Sequence, residues 1–171
     1  MFIHFTLNYR SINMSRGVNS IVVTLLCLGW LQSLTSGKDF NFIFDPHEME
    51  CSGNVTYDKV MLTAYRPNFE SEEKRDYTDL KLKKLYSLQD FLDHRAPFVS
   101  CGMDSKLKIP YGTPICIPEL NIHFRRNIKL QVRDTHQDLS GGGYRRVDIC
   151  VRTQADSFDD IVNLLDATLI F

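Results

Sequence analysis

Cys101-Gly-Met-Asp104, Ile109-Pro-Tyr-Gly-Thr-Pro-Ile-Cys-Ile-Pro118, Leu130-Gln-Val-Arg-Asp134-Thr135, Gly141-Gly-Gly143 and Arg146-Val-Asp148-Ile-Cys-Val151 follow one another in the second half of the chain. The apolar runs are short, β-prone and bounded by Gly, Pro or polar residues, which is the pattern of strands joined by turns. Three of the runs carry an aspartate: Asp104 after one, Asp134 at the end of a second, Asp148 inside a third. A carboxylate among strand residues costs free energy unless it is paired, hydrogen-bonded or protonated. Three of them at turn-flanked strand ends point to a site more than to a solvated surface.

The pattern extends outward from there. Lys59-Val-Met-Leu-Thr-Ala-Tyr65 is a strand stopped by Arg66-Pro67, and Phe98 to Met103 is a second, delivering Asp104. Ile109 to Ile117 is a turn and a strand, with Gly112 supplying backbone freedom and Pro118 closing it. Asn121 to Asn127 reads as a loop or hairpin, Ile128 to Val132 as a strand ending at Asp134, Arg145 to Val151 as the strand carrying Asp148, and Ala167 to Phe171 as a closing strand. Between the first two strands, residues 68–97 begin with a charge cluster and continue with spaced leucines. Ser87 with Asp90 three positions later is a capping-box start, so a short helix is expected from Leu88 to His94, ending before Pro97. Asp156 is placed to cap a C-terminal helix whose apolar face would be Phe158, Ile161, Val162 and Leu165.

The N-terminus has the order of a signal peptide over residues 1–37. Arg16 precedes the apolar run Ile21–Leu31, and Ser33, Thr35, Ser36 and Gly37 follow. Met14-Ser-Arg16 would also start a normal n-region. Residues 38–57 form an N-terminal arm in which Phe40, Phe42 and Phe44 alternate as in a strand, with Pro46 ending it. Removing the signal removes Cys27 and leaves Cys51, Cys101, Cys116 and Cys150. An even number of cysteines in a small secreted domain reads as two disulfides of open connectivity. No Cys-x-x-Cys pair argues for zinc. Asn54-Val-Thr56 is an N-glycosylation acceptor in a eukaryotic host. The formal net charge of -1 gives no argument for nucleic acid or an anionic membrane, and 43% hydrophobic with 24% charged residues is ordinary for one globular domain. Gly141 to Gly143 lack the Gly-Lys-Ser/Thr of a phosphate loop, which argues against nucleotide binding.

Thr63-Ala64-Tyr65, Met103-Asp104, Ile109-Pro110-Tyr111-Gly112-Thr113, Ile117-Pro118, Asp134-Thr135 and Arg146-Val147-Asp148 resemble, in that order, the motifs of the three-aspartate (3D) domain family. The resemblance covers roughly residues 58–171, with 68–97 as a rim insertion. His136-Gln137 stand where the family has Gly-Gly. The family is related to the catalytic barrel of membrane-bound lytic transglycosylase A. The resemblance implies a mainly β fold, a six-stranded double-psi β-barrel with a short rim helix and a C-terminal helix. It also implies site roles: Asp148 as general acid and then base, Asp134 organising the site, and Asp104, Thr63, Tyr65 and Thr135 as supporting or substrate-binding residues. His136 is read as a loop residue that reaches substrate in the functional case, and Arg146 as pairing a nearby aspartate.

This chemistry is coherent on general grounds. Cleaving a sugar bond needs a carboxylic acid that keeps its proton until the leaving oxygen takes it. Burial and a neighbouring like charge both favour that state. A lytic transglycosylase needs no attacking water, because the substrate's own 6-hydroxyl closes a 1,6-anhydro ring. The expectation is a secreted, extracellular, monomeric protein acting on a polysaccharide, peptidoglycan or another cell-wall glycan. It would need no cofactor and no metal, and would have no nucleic-acid partner and no membrane contact once the signal is gone. The alternative is a non-catalytic secreted module that binds glycan, as in expansin-like proteins, or serves as a scaffold.

Overall fold

The computed structural model describes residues 46–171. The signal peptide and the Phe40/Phe42/Phe44 alternation lie outside the described residues. Six strands form the framework: β1 (Thr56–Tyr65), β2 (Val99–Gly102), β3 (Thr113–Ile115), β4 (Leu130–Asp134), β5 (Arg146–Cys150) and β6 (Ala167–Ile170). They make one mixed sheet in the order β3-β4-β2-β5-β1-β6. The pairs β1/β5 and β2/β4 are parallel, and the other neighbours are antiparallel. The sheet is curled. Cys116, just past β3, exchanges both backbone hydrogen bonds with Ile170 of β6 at 2.9 Å each, so the two edges are joined. The fold is thus mainly β and barrel-like, and among the described residues two α-helices accompany the sheet, α1 (Leu88–Leu92) and α2 (Pro118–Phe124).

Alternation along the strands decides what is enclosed. β4 reads buried, half-buried, buried, half-buried, buried, and Leu130 and Val132 point inward. With Val60, Leu62, Val99, Cys101, Val147, Ile149, Ala167 and Leu169 they form the core, closed at one end by Ile117, Leu120 and Ile128. Each fully buried Leu, Ile or Val stabilises by about 1.5–3 kcal/mol. The opposite face of β1, β2 and β5 carries Thr63 level with Asp148, and Tyr65 level with Cys150.

The rim helix forms as its cap predicts. Ser87 Oγ accepts from Asp90 N at 3.0 Å, and Asp90 Oδ2 accepts from Ser87 N at 3.4 Å. Helix α1 ends at Leu92, before the predicted His94. Three expectations are corrected. The segment read as a loop or hairpin at Asn121–Asn127 is mostly α2, whose Pro118 is a first-turn proline and not the end of a strand. The C-terminal helix is absent. Asp156–Phe158 and Asp160–Val162 are single 3-10 turns, and Phe158 and Leu165 are 73% and 75% exposed. Local side chains hold this backbone instead: Asp159 Oδ1 accepts from Ile161 N at 3.2 Å, Asp156 Oδ2 from Thr153 N at 2.8 Å, and Asn163 Nδ2 donates to Ser157 O at 2.8 Å. Asp and Asn side chains that satisfy nearby backbone groups compete with the helix in this way.

The third correction concerns the cysteines. Cys51 and Cys116 are disulfide-bonded, while Cys101 and Cys150 are free and buried. Cys101 faces Ile149 across β2 and β5. Cys150 is the next residue along, so it points to the other face and its sulfur cannot meet that of Cys101. The observed bond ties Cys51 to the short segment between β3 and α2, and Asn121 of α2 reaches the same stretch. This fully buried amide donates to Met49 O at 2.9 Å and accepts from Ile128 N at 2.8 Å. Asn54 is exposed, just before β1.

Candidate functional site

Gly102 organises the site. It ends β2, the strand between β4 and β5, and pairs with Asp134 on one side and Asp148 on the other. Adjacent strands lie about 4.8 Å apart, so the two aspartate backbones stand about 10 Å apart across a residue with no side chain. Both carboxylates line one cleft of about 560 Å³, together with Tyr65, Thr135, His136, Asp138 and Arg146. The 68–97 insertion supplies the facing wall through Asn68, Arg75, Thr78, Asp79 and Leu80. It lines the cleft and leaves it open.

Asp148 is 5% exposed. Its Oδ1 accepts from Thr63 Oγ1, one strand over, and from Arg146 Nε at 3.3 Å. The same guanidinium donates through NH1 to Asp138 O at 3.1 Å, fixing its direction. Thr63 and Arg146 therefore orient Asp148, and Arg146 pairs an aspartate as its spacing suggests.

Asp134 is held differently. Its Oδ1 accepts from Thr135 N at 2.9 Å, and its Oδ2 accepts from Tyr65 OH at 3.1 Å. Tyr65 reaches from β1 over β5 and β2 to do so. Burial pushes the Asp134 carboxyl pKa upward, against the opposing effects of His136, the Thr135 N–H and the Tyr65 hydroxyl. Burial, with Cys150 and Asp134 beside it, also pushes the Tyr65 hydroxyl well above its ordinary value, so Tyr65 is a donor throughout the working pH range.

His136 completes the group. Its Nε2 stands 3.6 Å from Asp134 Oδ2, and its ring meets the Tyr65 ring edge-on with centroids 4.2 Å apart. Among the described residues that buried Nε2 has no hydrogen-bond partner. Gly102 makes the approach possible: a Cβ there would lie 3.3 Å from His136 Cδ2, 3.4 Å from Nε2 and 3.0 Å from Leu139 Cδ1.

Asp104 stands apart from this cleft. Its Oδ1 accepts from Lys106 N at 3.0 Å, and its Oδ2 accepts from Gly141 N at 2.9 Å and Gly143 N at 3.1 Å. These bonds hold its pKa below the ordinary carboxylate value, the Lys106 and Gly143 N–H groups foremost. Asp104 pins the glycine-rich loop that leads into β5. The disulfide-bonded Cys51 and Cys116 are likewise not among the cleft residues.

Sequence reasoning missed the most heavily bonded carboxylate. Asp79 is 2% exposed. It accepts from Lys81 N and Lys83 N at 2.9 Å each, from Tyr111 OH at 2.5 Å and from Arg133 Nε at 3.0 Å. Arg133 in turn stacks between the rings of Phe98 and Tyr111, at 4.6 and 4.5 Å to their centroids. The local signal was an aspartate able to bond the backbone two and four residues on. Its partners Tyr111 and Arg133 are remote in sequence.

No protein-family model matches the chain, and a search of curated proteins finds no match.

Proposed function

We propose that the cleft cleaves a glycan strand in the manner of a lytic transglycosylase, with Asp134 and Asp148 as the working carboxyls. We further propose that the curled sheet, with its two parallel pairs, is wound as a double-psi barrel. The observation that carries the functional reading is the pairing of both aspartates with Gly102. It puts two differently held carboxyls in one cleft, on either side of a residue that has no side chain of its own. In the family resemblance Asp148 is the acid. The surroundings favour Asp134 for that role, because burial helps it keep a proton, while Asp148 is ion-paired to Arg146. Asp134 would protonate the glycosidic oxygen as the bond to C1 breaks. The substrate's 6-hydroxyl oxygen would then bond to C1, and its proton would return to the site. Asp148 would face the positive charge that develops on the sugar ring.

The disulfide suits a secreted, extracellular protein, and peptidoglycan is the substrate to test first. Oxidised protein incubated with purified bacterial peptidoglycan should release 1,6-anhydro-muropeptides, read by mass spectrometry. Asp134→Asn and Asp148→Asn should each slow release by on the order of 100-fold or more. If folded wild-type protein releases none, this reading fails for that substrate. A second reading, glycan binding without cleavage, is favoured by the His136 ring over Gly102, which narrows the gap between the carboxyls. Retention on insoluble cell wall without any product would select it.

A further inference from the structure

We infer that Asp134 and His136 act as one proton-carrying pair in the cleft, with His136 Nε2 as the second seat of the proton. The pair follows from geometry. Nε2 is buried, faces Asp134 Oδ2 at 3.6 Å and has no other polar partner among the described residues. Its ring meets that of Tyr65 edge-on and lies against the bare backbone of Gly102. A buried imidazole nitrogen without a hydrogen bond is costly, and closing the 3.6 Å gap to the facing carboxyl would relieve it.

Tyr65, Cys150 and Asp79, beside the pair, do not exchange protons in the working range. Tyr65 and Cys150 keep theirs, because burial pushes both upward. Asp79 is held as a carboxylate, since the bonds from Tyr111, the Lys83 and Lys81 N–H groups and Arg133 outweigh its burial. Asp148 is engaged by Arg146. One proton shared between Oδ2 and Nε2 is therefore the mobile charge of this part of the cleft.

The role in cleavage rests on the function proposed above, and the pair itself does not. In that reaction the pair gives its single proton to the glycosidic oxygen, which leaves with the electrons of the C1–O bond. The 6-hydroxyl oxygen bonds to C1 and returns its proton to the pair. Either atom can take it, because both residues line the same cleft. The site is then as it began, and no co-reactant is consumed.

The test is carbon-13 NMR titration of the side-chain carboxyls in the folded, disulfide-bonded protein. Coupled sites titrate in two steps that belong to the pair. Wild type should show two steps at Asp134. His136→Gln, which keeps the shape and loses the charge, should show one step, with proton affinity raised about tenfold because an opposing charge is gone. The His136 ring in Asp134→Asn gives the same comparison from the other side, should the first variant misfold. An Asp134 titration unchanged in His136→Gln overturns the pair. Where wild type cleaves glycan, His136→Gln should slow it by on the order of 10- to 100-fold and flatten its pH profile. Undiminished cleavage overturns the catalytic role of His136. Coupled titration in a protein that cleaves nothing supports the pair and counts against the function proposed above.

Discussion

Replacing Asp79 with Ala tests how the insertion is fastened to the barrel. The Asp79 side chain is fully buried, and its partner Arg133 is only 11% exposed. The substitution strands a guanidinium between two aromatic rings and removes the acceptor for Tyr111 OH and for two backbone N–H groups. Breaking a buried pair on one side typically costs 3–5 kcal/mol, and the exposed loop around Lys81 and Lys83 lets water replace the two N–H bonds, so about 4 kcal/mol is expected. For a domain whose total stability is of order 5–15 kcal/mol, that moves the urea midpoint down by about 2 M. Tyr111→Phe, which removes one donor, should cost about 1 kcal/mol, and the double variant less than the sum. The acid side gives a second check. Asp79 has a lowered folded pKa, so its contribution is complete above the unfolded value of about 3.9 and drains away as pH falls through the folded one. The stability of Asp79→Ala should therefore fall less steeply below about pH 4 than that of wild type. A loss under about 1 kcal/mol in urea at neutral pH would refute the claim that this network clamps the insertion.

Other outcomes follow from the same geometry. Asp134 has a raised folded pKa, so ionising it costs the folded state more than the unfolded one; Asp134→Asn should raise Tm near pH 7 and lose that advantage near about pH 4. The Cys51–Cys116 bond closes a separation of 65 residues, so reducing it, or Cys51→Ser, should cost about 4 kcal/mol in a chemical melt. A thiol assay on protein freed of residues 1–37 should find no fast-reacting group when native and two, Cys101 and Cys150, when unfolded; zero in both states would restore the second disulfide. Gly102→Ala should cost about 1–3 kcal/mol, because its Cβ would press the buried Leu139 and the His136 ring, and it should shift the Asp134 titration by displacing that ring.

The strands were legible because each carries a period-two or apolar signal bounded by Pro or Gly, and α1 because the Ser87/Asp90 box is local. The grouping of Tyr65, Asp134, Thr135, His136, Arg146 and Asp148 was legible too, since all of them sit in or next to recognisable strands. What failed was read from local pattern where a local competitor or a remote partner decided. The spacing of Phe158, Ile161, Val162 and Leu165 suits a helix, but Thr153, Asp156, Asp159 and Asn163 capture the backbone first. Pro118 has the same local appearance at a strand end and at a helix start. The even cysteine count was misleading because pairing depends on which face of β2 and β5 each sulfur takes, and that is a matter of register. Asp79 passed unnoticed in the insertion because its partners are remote in sequence, Tyr111 in the turn before β3 and Arg133 in β4.

The order of the strands also has a consequence for synthesis. β1 finds its partners only in β5 and β6, and the contact between Thr63 and Asp148 spans 85 positions. As the chain emerges from N- to C-terminus, β1 stays unpaired until nearly all of the domain has been made. Cys51, Cys101 and Cys116 are all available before β5 arrives to bury Cys101 between β2 and itself. During that interval Cys101 competes for either partner of the native bond. Where the chain folds under oxidising conditions, the proportion of mispaired protein should therefore rise if translation pauses between Cys116 and Arg146.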